Sequence, residues 1–176
     1  MNSYKTVFFA IGVLLIILGA FMLIPFFVQY LYDEKNSTFL SSSSITIFIG
    51  ILLVLTNLEE NRKLNLQQAF LLTTLSWLSI AVFGCLPFLL SNLNLSFVDS
   101  FFESMSGITT TGSTILTNID SAPKSILIWR SILQWLGGIG VIVMAITILP
   151  LLNIGGMQLF RLGSDTAEKI LPKTRE

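Results

Sequence analysis

The sequence predicts an all-α membrane protein with four transmembrane helices and one shorter helix that enters the membrane and turns back. The first observation is composition: 53% of the residues are hydrophobic, 11% are charged and the mean hydropathy is +0.80. These values are typical of membrane proteins. Second, four apolar stretches can each cross a hydrocarbon core of about 30 Å, which needs about 20 helical residues. Third, a polar turn follows a much shorter apolar segment between the last two stretches.

The four predicted spans lie at about residues 7–31, 39–58, 66–90 and 125–152. Pro25 and Pro87, near the ends of the first and third spans, predict a kink or a helix end, because proline lacks the N–H that an interior helical position donates. The first span is longer than the apolar core of a signal peptide, and no good cleavage site follows it. We therefore expect it to be an uncleaved membrane anchor.

The basic residues predict the orientation. If the N-terminus is cytoplasmic, seven lie on the cytoplasmic side: Lys5, Arg62, Lys63, Arg161, Lys169, Lys173 and Arg175. Only Lys35 and Lys124 then lie outside, while Arg130 falls within the fourth span. This distribution agrees with the positive-inside rule. It predicts a cytoplasmic N-terminus and a short helix that enters from outside.

Residues 97–106 form the short segment, which as a helix would be about 15 Å long, half of a membrane crossing. Ser96 and Asp99 have the spacing of a capping box and predict the start of this helix. Gly107 predicts its end. A capped half-length helix followed by a polar turn is typical of a re-entrant pore helix. The alternative is an interfacial helix on the membrane surface, and the spacing leaves both open.

The polar turn is the candidate functional segment, a filter loop. It comprises Thr109, Thr110, Thr111, Gly112 and Ser113. A polar turn at membrane depth must be buried in protein or line a watery cavity. Backbone carbonyls replace the hydration shell of a cation without a full negative charge, and glycine tolerates the backbone angles that this needs. The turn therefore predicts a cation selectivity filter. The alternative is an ordinary external loop rich in serine and threonine.

Two charged residues are candidates for supporting this turn. Glu103 has no cation near it in sequence, and Arg130 lies within a span, where an ionisable side chain is costly unless it is paired. We expect an ion pair between them, the alternative being that Arg130 extends to the membrane interface. The glycines Gly137, Gly138 and Gly140 in the fourth span predict close helix packing or a bend.

Composition excludes several other functions. The chain has no histidine and a single cysteine, Cys85, so an intrachain disulfide is excluded and a zinc cluster is implausible. The sequence shows no nucleophile–base pair and no phosphate-binding glycine loop. The formal net charge is zero, which gives no sign of a nucleic-acid partner. We expect neither an enzyme nor a cofactor.

Three segments together resemble a known family. Residues 102–114, 129–140 and 149–161 resemble, in order and spacing, the potassium-translocating subunit of the bacterial Trk/Ktr potassium uptake systems, the TrkH type in particular. Three matches in order are more specific than the polar turn alone. The resemblance covers nearly the whole chain and is weakest in the first two spans.

The resemblance implies four helix–pore loop–helix units around one potassium pathway, preceded by two extra helices. Residues 1–64 would be the extra pair with a cytoplasmic turn, 65–153 the first unit, and 154–176 the start of a cytoplasmic connecting segment. The family pattern implies potassium ligands at Thr110, Thr111 and Gly112, with Thr109 and Ser113 adjoining. It also implies the bacterial inner membrane and a nucleotide-binding cytoplasmic regulatory subunit of the TrkA type.

One unit cannot encircle an ion, so the length of the chain leaves three interpretations. The chain is an N-terminal fragment of a potassium uptake subunit whose missing pore units complete the filter. Alternatively, further copies of the chain assemble as a homotetrameric cation channel. The third interpretation is an inactive membrane remnant, with lipid as its surroundings and no transport.

Overall fold

The computed structural model describes residues 4–34, 37–58, 65–117, 119 and 122–151, with the backbone alone at 66 and 147–151. Within these ranges the chain forms seven helices and no strand: α1 (Lys5–Phe21), α2 (Leu23–Leu31), α3 (Thr38–Thr56), α4 (Leu66–Gly84), α5 (Leu86–Leu89), α6 (Phe97–Ile108) and α7 (Lys124–Leu151). The predicted all-α class is confirmed.

Four helical stretches are long and apolar enough to cross a membrane: Lys5–Leu31, Thr38–Thr56, Gln67–Leu89 and Lys124–Ile146. They coincide closely with the four predicted spans. Many large apolar side chains on these stretches are exposed, including Phe27, Phe48 and Trp135. A chain surrounded by water would bury more of them, whereas lipid or neighbouring protein covers such surfaces. The protein is a multi-pass membrane protein.

Both prolines interrupt their spans as predicted. Helix α1 gives way to α2 at Met22, three residues before Pro25, and α4 gives way to α5 at Cys85, two residues before Pro87. The ring of a proline clashes with the preceding turn and removes one backbone donor, so the break lies on its N-terminal side.

Helices α1 and α3 pack closely through small residues. An ideal Cβ on Gly12 would lie 2.8 Å from the carbonyl oxygen of Gly50, and the reverse distance is also 2.8 Å. The hydroxyl of Ser43 donates a 2.7 Å hydrogen bond to the carbonyl of Gly19. Small residues let two membrane helices approach until backbone and hydroxyl groups interact directly.

Helix α6 packs between α4 and α7. The prediction that Gly107 ends this helix is wrong, because α6 continues to Ile108. An ideal Cβ on Gly107 would lie only 3.0 Å from the Cβ of Leu133 in α7. Gly107 therefore serves close packing between α6 and α7.

The buried Trp129 connects three helices at the same level. Its indole Nε1 donates a 2.9 Å hydrogen bond to the carbonyl of Gly84 at the end of α4, and its ring meets Phe39 of α3 edge to face at 6.2 Å.

The predicted cytoplasmic turn around Arg62 and Lys63 and the connecting segment 154–176 lie outside the described residues.

Candidate pore segment

The start of α6 is fixed by the predicted capping box. The Ser96 hydroxyl accepts a 3.1 Å hydrogen bond from the Asp99 amide, and the Asp99 carboxylate accepts from the Ser96 amide at 3.3 Å. The two side chains are also joined at 2.7 Å. This reciprocal arrangement satisfies donors that a helix N-terminus leaves free, so it starts α6 at Phe97 as the sequence predicts.

The end of α6 lies against the middle of α7. An ideal Cβ on Gly137 would be 1.8 Å from the carbonyl oxygen of Ile108, so only glycine fits there. Gly137 is about 20 Å beyond Lys124 along the axis of α7, at 1.5 Å per residue. Since α7 spans Lys124–Leu151, the turn that follows Ile108 lies level with the middle of α7.

The backbone of the turn directs its N–H groups back at α6. The amides of Thr110, Thr111 and Gly112 donate to the carbonyls of Gly107 or Ser106 at 2.9 to 3.2 Å. Thr110 and Gly112 have left-handed φ angles of +58° and +77°. A φ in this region costs an ordinary residue energy but costs glycine almost none. Gly112 is therefore the residue type that this turn requires.

The carbonyl groups of the turn divide into two sets. Among the described residues, the carbonyls of Thr110, Thr111 and Gly112 accept no hydrogen bond, and all three residues are exposed. The carbonyl of Ser113 instead accepts a 2.6 Å hydrogen bond from the hydroxyl of Ser106 in α6. The carbonyls of these three residues are thus free to bind a ligand, and that of Ser113 anchors the turn.

The threonine hydroxyls are held within the turn. Thr109 donates from its hydroxyl to the carbonyl of Met105 at 2.7 Å, and its oxygen lies 2.9 Å from the hydroxyl of Thr111. The Met105 carbonyl also accepts from the Thr109 amide at 2.9 Å, so the hydroxyl adds a second hydrogen bond to the same oxygen. The carbonyl of Thr109 likewise accepts no hydrogen bond from a described residue, so it adjoins the free carbonyls of the next three residues.

Glu103 binds the two residues that follow the turn, Thr114 and Ile115. Its Oε1 accepts from the Thr114 hydroxyl at 2.5 Å and from the Ile115 amide at 2.7 Å. Its Oε2 lies 2.9 Å from Nε of Arg130 in α7, and the Glu103 side chain is fully buried. The structure therefore brings together the two charged residues expected to pair. A buried carboxylate needs such a combination of charge and donors, because desolvation is otherwise too costly.

Sequence reasoning missed three side chains around the turn. Ser106 anchors the Ser113 carbonyl, and Thr114 donates to Glu103. The amide nitrogen of Gln134 lies 3.4 Å from an ideal Cβ on Gly112. A serine at the helical spacing i, i+3 from Glu103 was a visible signal for Ser106, whereas the position of Gln134 depends on how α6 packs on α7.

A family profile described as TrkH, cation transport protein, matches residues 35–175. The chain belongs to the TrkH family. The chain is 42% identical over 153 residues to the Trk system potassium uptake protein TrkH of Escherichia coli strain K12, which covers 86% of this chain and 32% of that protein. It is 40% identical over 176 residues to the Trk system potassium uptake protein TrkI of Halomonas elongata, which covers 99% and 36%.

A solved structure agrees with this family. The crystal structure of the potassium transporter TrkH from Vibrio parahaemolyticus superimposes with a TM-score of 0.83 at 39% identity, over 89% of this chain and 34% of that one. The chain thus spans about a third of the length of the relatives that it matches. The family resemblance inferred from residues 102–161 is confirmed. The family is one of cation transporters and not of enzymes.

Proposed function

We propose that this chain forms one pore unit of a potassium uptake transporter, with Thr109–Ser113 as one quarter of the selectivity filter. The relatives named above are potassium uptake proteins, and the family is one of cation transporters. In this proposal residues 1–64 are a preceding helix pair, 65–153 are the pore unit and 154–176 begin a connecting segment. Potassium is the transported ion, and no cofactor takes part.

Three of the free carbonyls of the turn carry the proposal. They belong to Thr110, Thr111 and Gly112, and the turn lies about halfway along α7. Lipid-exposed backbone with unsatisfied carbonyls is not stable at that depth, so these groups must face protein or a watery pathway. Carbonyl oxygens that face such a pathway can replace the water around a potassium ion.

The direction of α6 adds to the attraction for a cation. Its C-terminal end adjoins the turn, and a helix C-terminus carries about half a negative elementary charge. In the last turn of α6, the carbonyls of Ser106 and Gly107 accept hydrogen bonds from amides of the polar turn. A cation that has lost water in the filter would therefore meet an environment of partial negative charge with no carboxylate to trap it.

Glu103 and Arg130 support the filter in this proposal. Glu103 fixes Thr114 and Ile115 on the far side of the turn, and Ser106 fixes the carbonyl of Ser113. The free carbonyls thus lie between the end of α6 at Ile108 and the anchors at residues 113–115. A selectivity filter needs this rigidity, because its oxygens must keep their spacing when the ion arrives.

We propose a re-entrant course for α6. Gly84 at the end of α4 lies level with Trp129 near the start of α7, and Ile108 lies level with Gly137. From the membrane side where α4 ends, the chain enters the membrane as α6, which runs beside α7 as far as Gly137. After the turn it returns to the same side, where α7 begins. With the N-terminus in the cytoplasm of a bacterial cell, α6 would enter the inner membrane from outside.

Four such units are needed to surround an ion. We propose that the other three come from further parts of the same transporter, since the chain spans about a third of its relatives. A homotetramer of this chain is the second candidate, and an inactive remnant without transport is the third. The Trk system of the relatives supports a cytoplasmic nucleotide-binding regulator of the TrkA type as a partner.

The experiment measures potassium and sodium flux into liposomes that contain the purified protein, after its oligomeric state has been determined. Both the chain alone and a complete four-unit pore that includes it are tested. We expect selective potassium flux from the complete pore, and flux from the chain alone only if it is a tetramer. Absence of flux from the complete pore would contradict the proposal.

Replacing Gly112 with serine tests the filter itself. Because Gly112 has a φ of +77°, a side chain there costs about 1–2 kcal/mol in backbone strain and displaces the carbonyls. We expect Gly112→Ser to lower the preference for potassium over sodium at least about tenfold, a change of about 1.4 kcal/mol in discrimination. The control is Gly138→Ser, since an ideal Cβ on Gly138 has nothing within 4 Å. Equal selectivity in the two variants would refute the filter assignment.

A further inference from the structure

Glu34 connects the preceding helix pair to the pore unit at the start of α7. Its Oε1 accepts from the amides of Lys124 at 2.7 Å and Ser125 at 3.4 Å, and its Oε2 accepts from the Ser125 hydroxyl. These residues are about 90 positions away in sequence. A carboxylate at a helix N-terminus satisfies free amides and interacts favourably with the helix dipole. Glu34 therefore caps α7 from another element.

The backbone before Glu34 holds the carboxylate in place. The Glu34 amide donates to the carbonyl of Gln29 at 3.0 Å, the Asp33 amide is 3.4 Å from the carbonyl of Tyr30, and Asp33 has a φ of +50°. This pattern is a Schellman motif, which ends a helix in a defined geometry. The α2–α3 turn consequently presents Glu34 to α7 from a rigid support.

Packing beneath the cap fixes the same junction. Phe39 of α3 lies fully buried against Trp129 of α7, and Gln29 at the end of α2 is also buried. Helix α2 contacts α7 along this side. The cap is thus one part of a continuous contact between the helix pair and α7, and a movement of the pair would move the start of α7.

Two carboxylates hold the two ends of the segment that follows the turn. Glu103 binds Thr114 and Ile115, and Glu34 binds Lys124 and Ser125. The chain between these two anchors joins the turn to α7. Loosening the anchor at Lys124 and Ser125 therefore gives residues 114–117 more freedom.

We infer that Glu34 is a positioning residue for the pore: through it, the helix pair that precedes the unit fixes the segment leaving the filter loop. The inference about selectivity rests on the proposed function, while the mechanical coupling from Glu34 to residues 114–117 does not. The helix pair then has a role in the pore unit beyond membrane anchoring.

The test compares Glu34→Ala and Glu34→Gln with Asp33→Asn. The asparagine variant removes one negative charge from the same turn, from an exposed residue, and suits the left-handed φ of position 33. Glu34→Gln keeps one acceptor oxygen, so it remains informative if the alanine variant does not fold. Hydrogen exchange is measured at the amides of residues 114–117 and 124–126 in lipid nanodiscs, and potassium-over-sodium selectivity is measured in the complete pore.

We expect Glu34→Ala to speed exchange about tenfold at residues 124–126 and severalfold at residues 114–117, with a smaller effect for Glu34→Gln and none for Asp33→Asn. We also expect lower selectivity in the two Glu34 variants. Faster exchange at 124–126 alone, with residues 114–117 and selectivity unchanged, would overturn the inference and leave a simple helix cap. If the unaltered pore shows no potassium selectivity, the proposed function fails, and exchange at 114–117 still decides the coupling.

Discussion

The contact between Gly137 and Ile108 sets the position of the turn along α7, and replacing Gly137 with alanine tests it. An added Cβ would lie 1.8 Å from the Ile108 carbonyl oxygen and 2.7 Å from its carbonyl carbon. Ordinary contact begins at about 3.4 Å, so α6 would have to move away from α7 by more than 1 Å. Both atoms belong to backbone, and no side-chain rotation can relieve the overlap.

The magnitude follows from this overlap. Inserting a methyl group into a closely packed interface costs about 1–3 kcal/mol, and this overlap places the cost at the upper end. Alanine also favours a helix over glycine by about 1 kcal/mol. Gly138→Ala gains the same propensity without a steric cost, because its Cβ would have nothing within 4 Å. The two variants should therefore differ by about 3 kcal/mol in the free energy of unfolding.

The assay is equilibrium unfolding of the two variants and the unaltered chain in mixed micelles, followed by circular dichroism. We expect Gly137→Ala to be less stable than the unaltered chain and Gly138→Ala to be equal or more stable. Equal stability of the two alanine variants would refute the close contact. The turn would then not be held against the middle of α7.

Two further substitutions test the contacts around α6. Trp129→Phe removes the indole donor to the Gly84 carbonyl and should lower the free energy of unfolding by about 1–3 kcal/mol, because this buried carbonyl loses its partner. The control is Trp135→Phe, since Trp135 is exposed. An equal loss of stability in the control would contradict this prediction. In a double-mutant cycle, Arg130→Gln should lower the free energy of unfolding by about 3–5 kcal/mol, since it leaves the fully buried Glu103 without its cation. Glu103→Gln should lower it less, since the Arg130 side chain is 14% exposed. The double variant should cost less than the sum by about 1 kcal/mol or more, and additive losses in unfolding would argue against direct pairing.

The spans and the start of α6 could be predicted because they depend on local sequence. Length and hydropathy set the spans, the two prolines set the breaks, and Ser96 with Asp99 set the first turn of α6. These signals act within a few residues of the structure that they determine. Sequence reasoning was therefore reliable for the elements themselves.

Other features depend on packing between distant segments. Glycine is common at helix ends, so Gly107 was predicted to end α6. In the structure, its lack of a side chain instead lets α6 pack closely against Leu133 of α7. The Glu34 cap joins residues about 90 positions apart, and nothing local in sequence distinguishes Glu34 from the neighbouring Asp33. The pairing of Glu103 with Arg130 was accessible because both charges lie in apolar surroundings, where a partner is required.

We propose that Thr110, Thr111 and Gly112 bind potassium through their backbone carbonyls. The most direct measurement is the anomalous scattering of rubidium or thallium, used in place of potassium, in crystals of the complete pore that contains this chain. We expect a peak in contact with the carbonyl oxygens of these three residues, with α6 inside the membrane. Bound ions found only away from this turn, or a turn lying at the membrane surface, would contradict it.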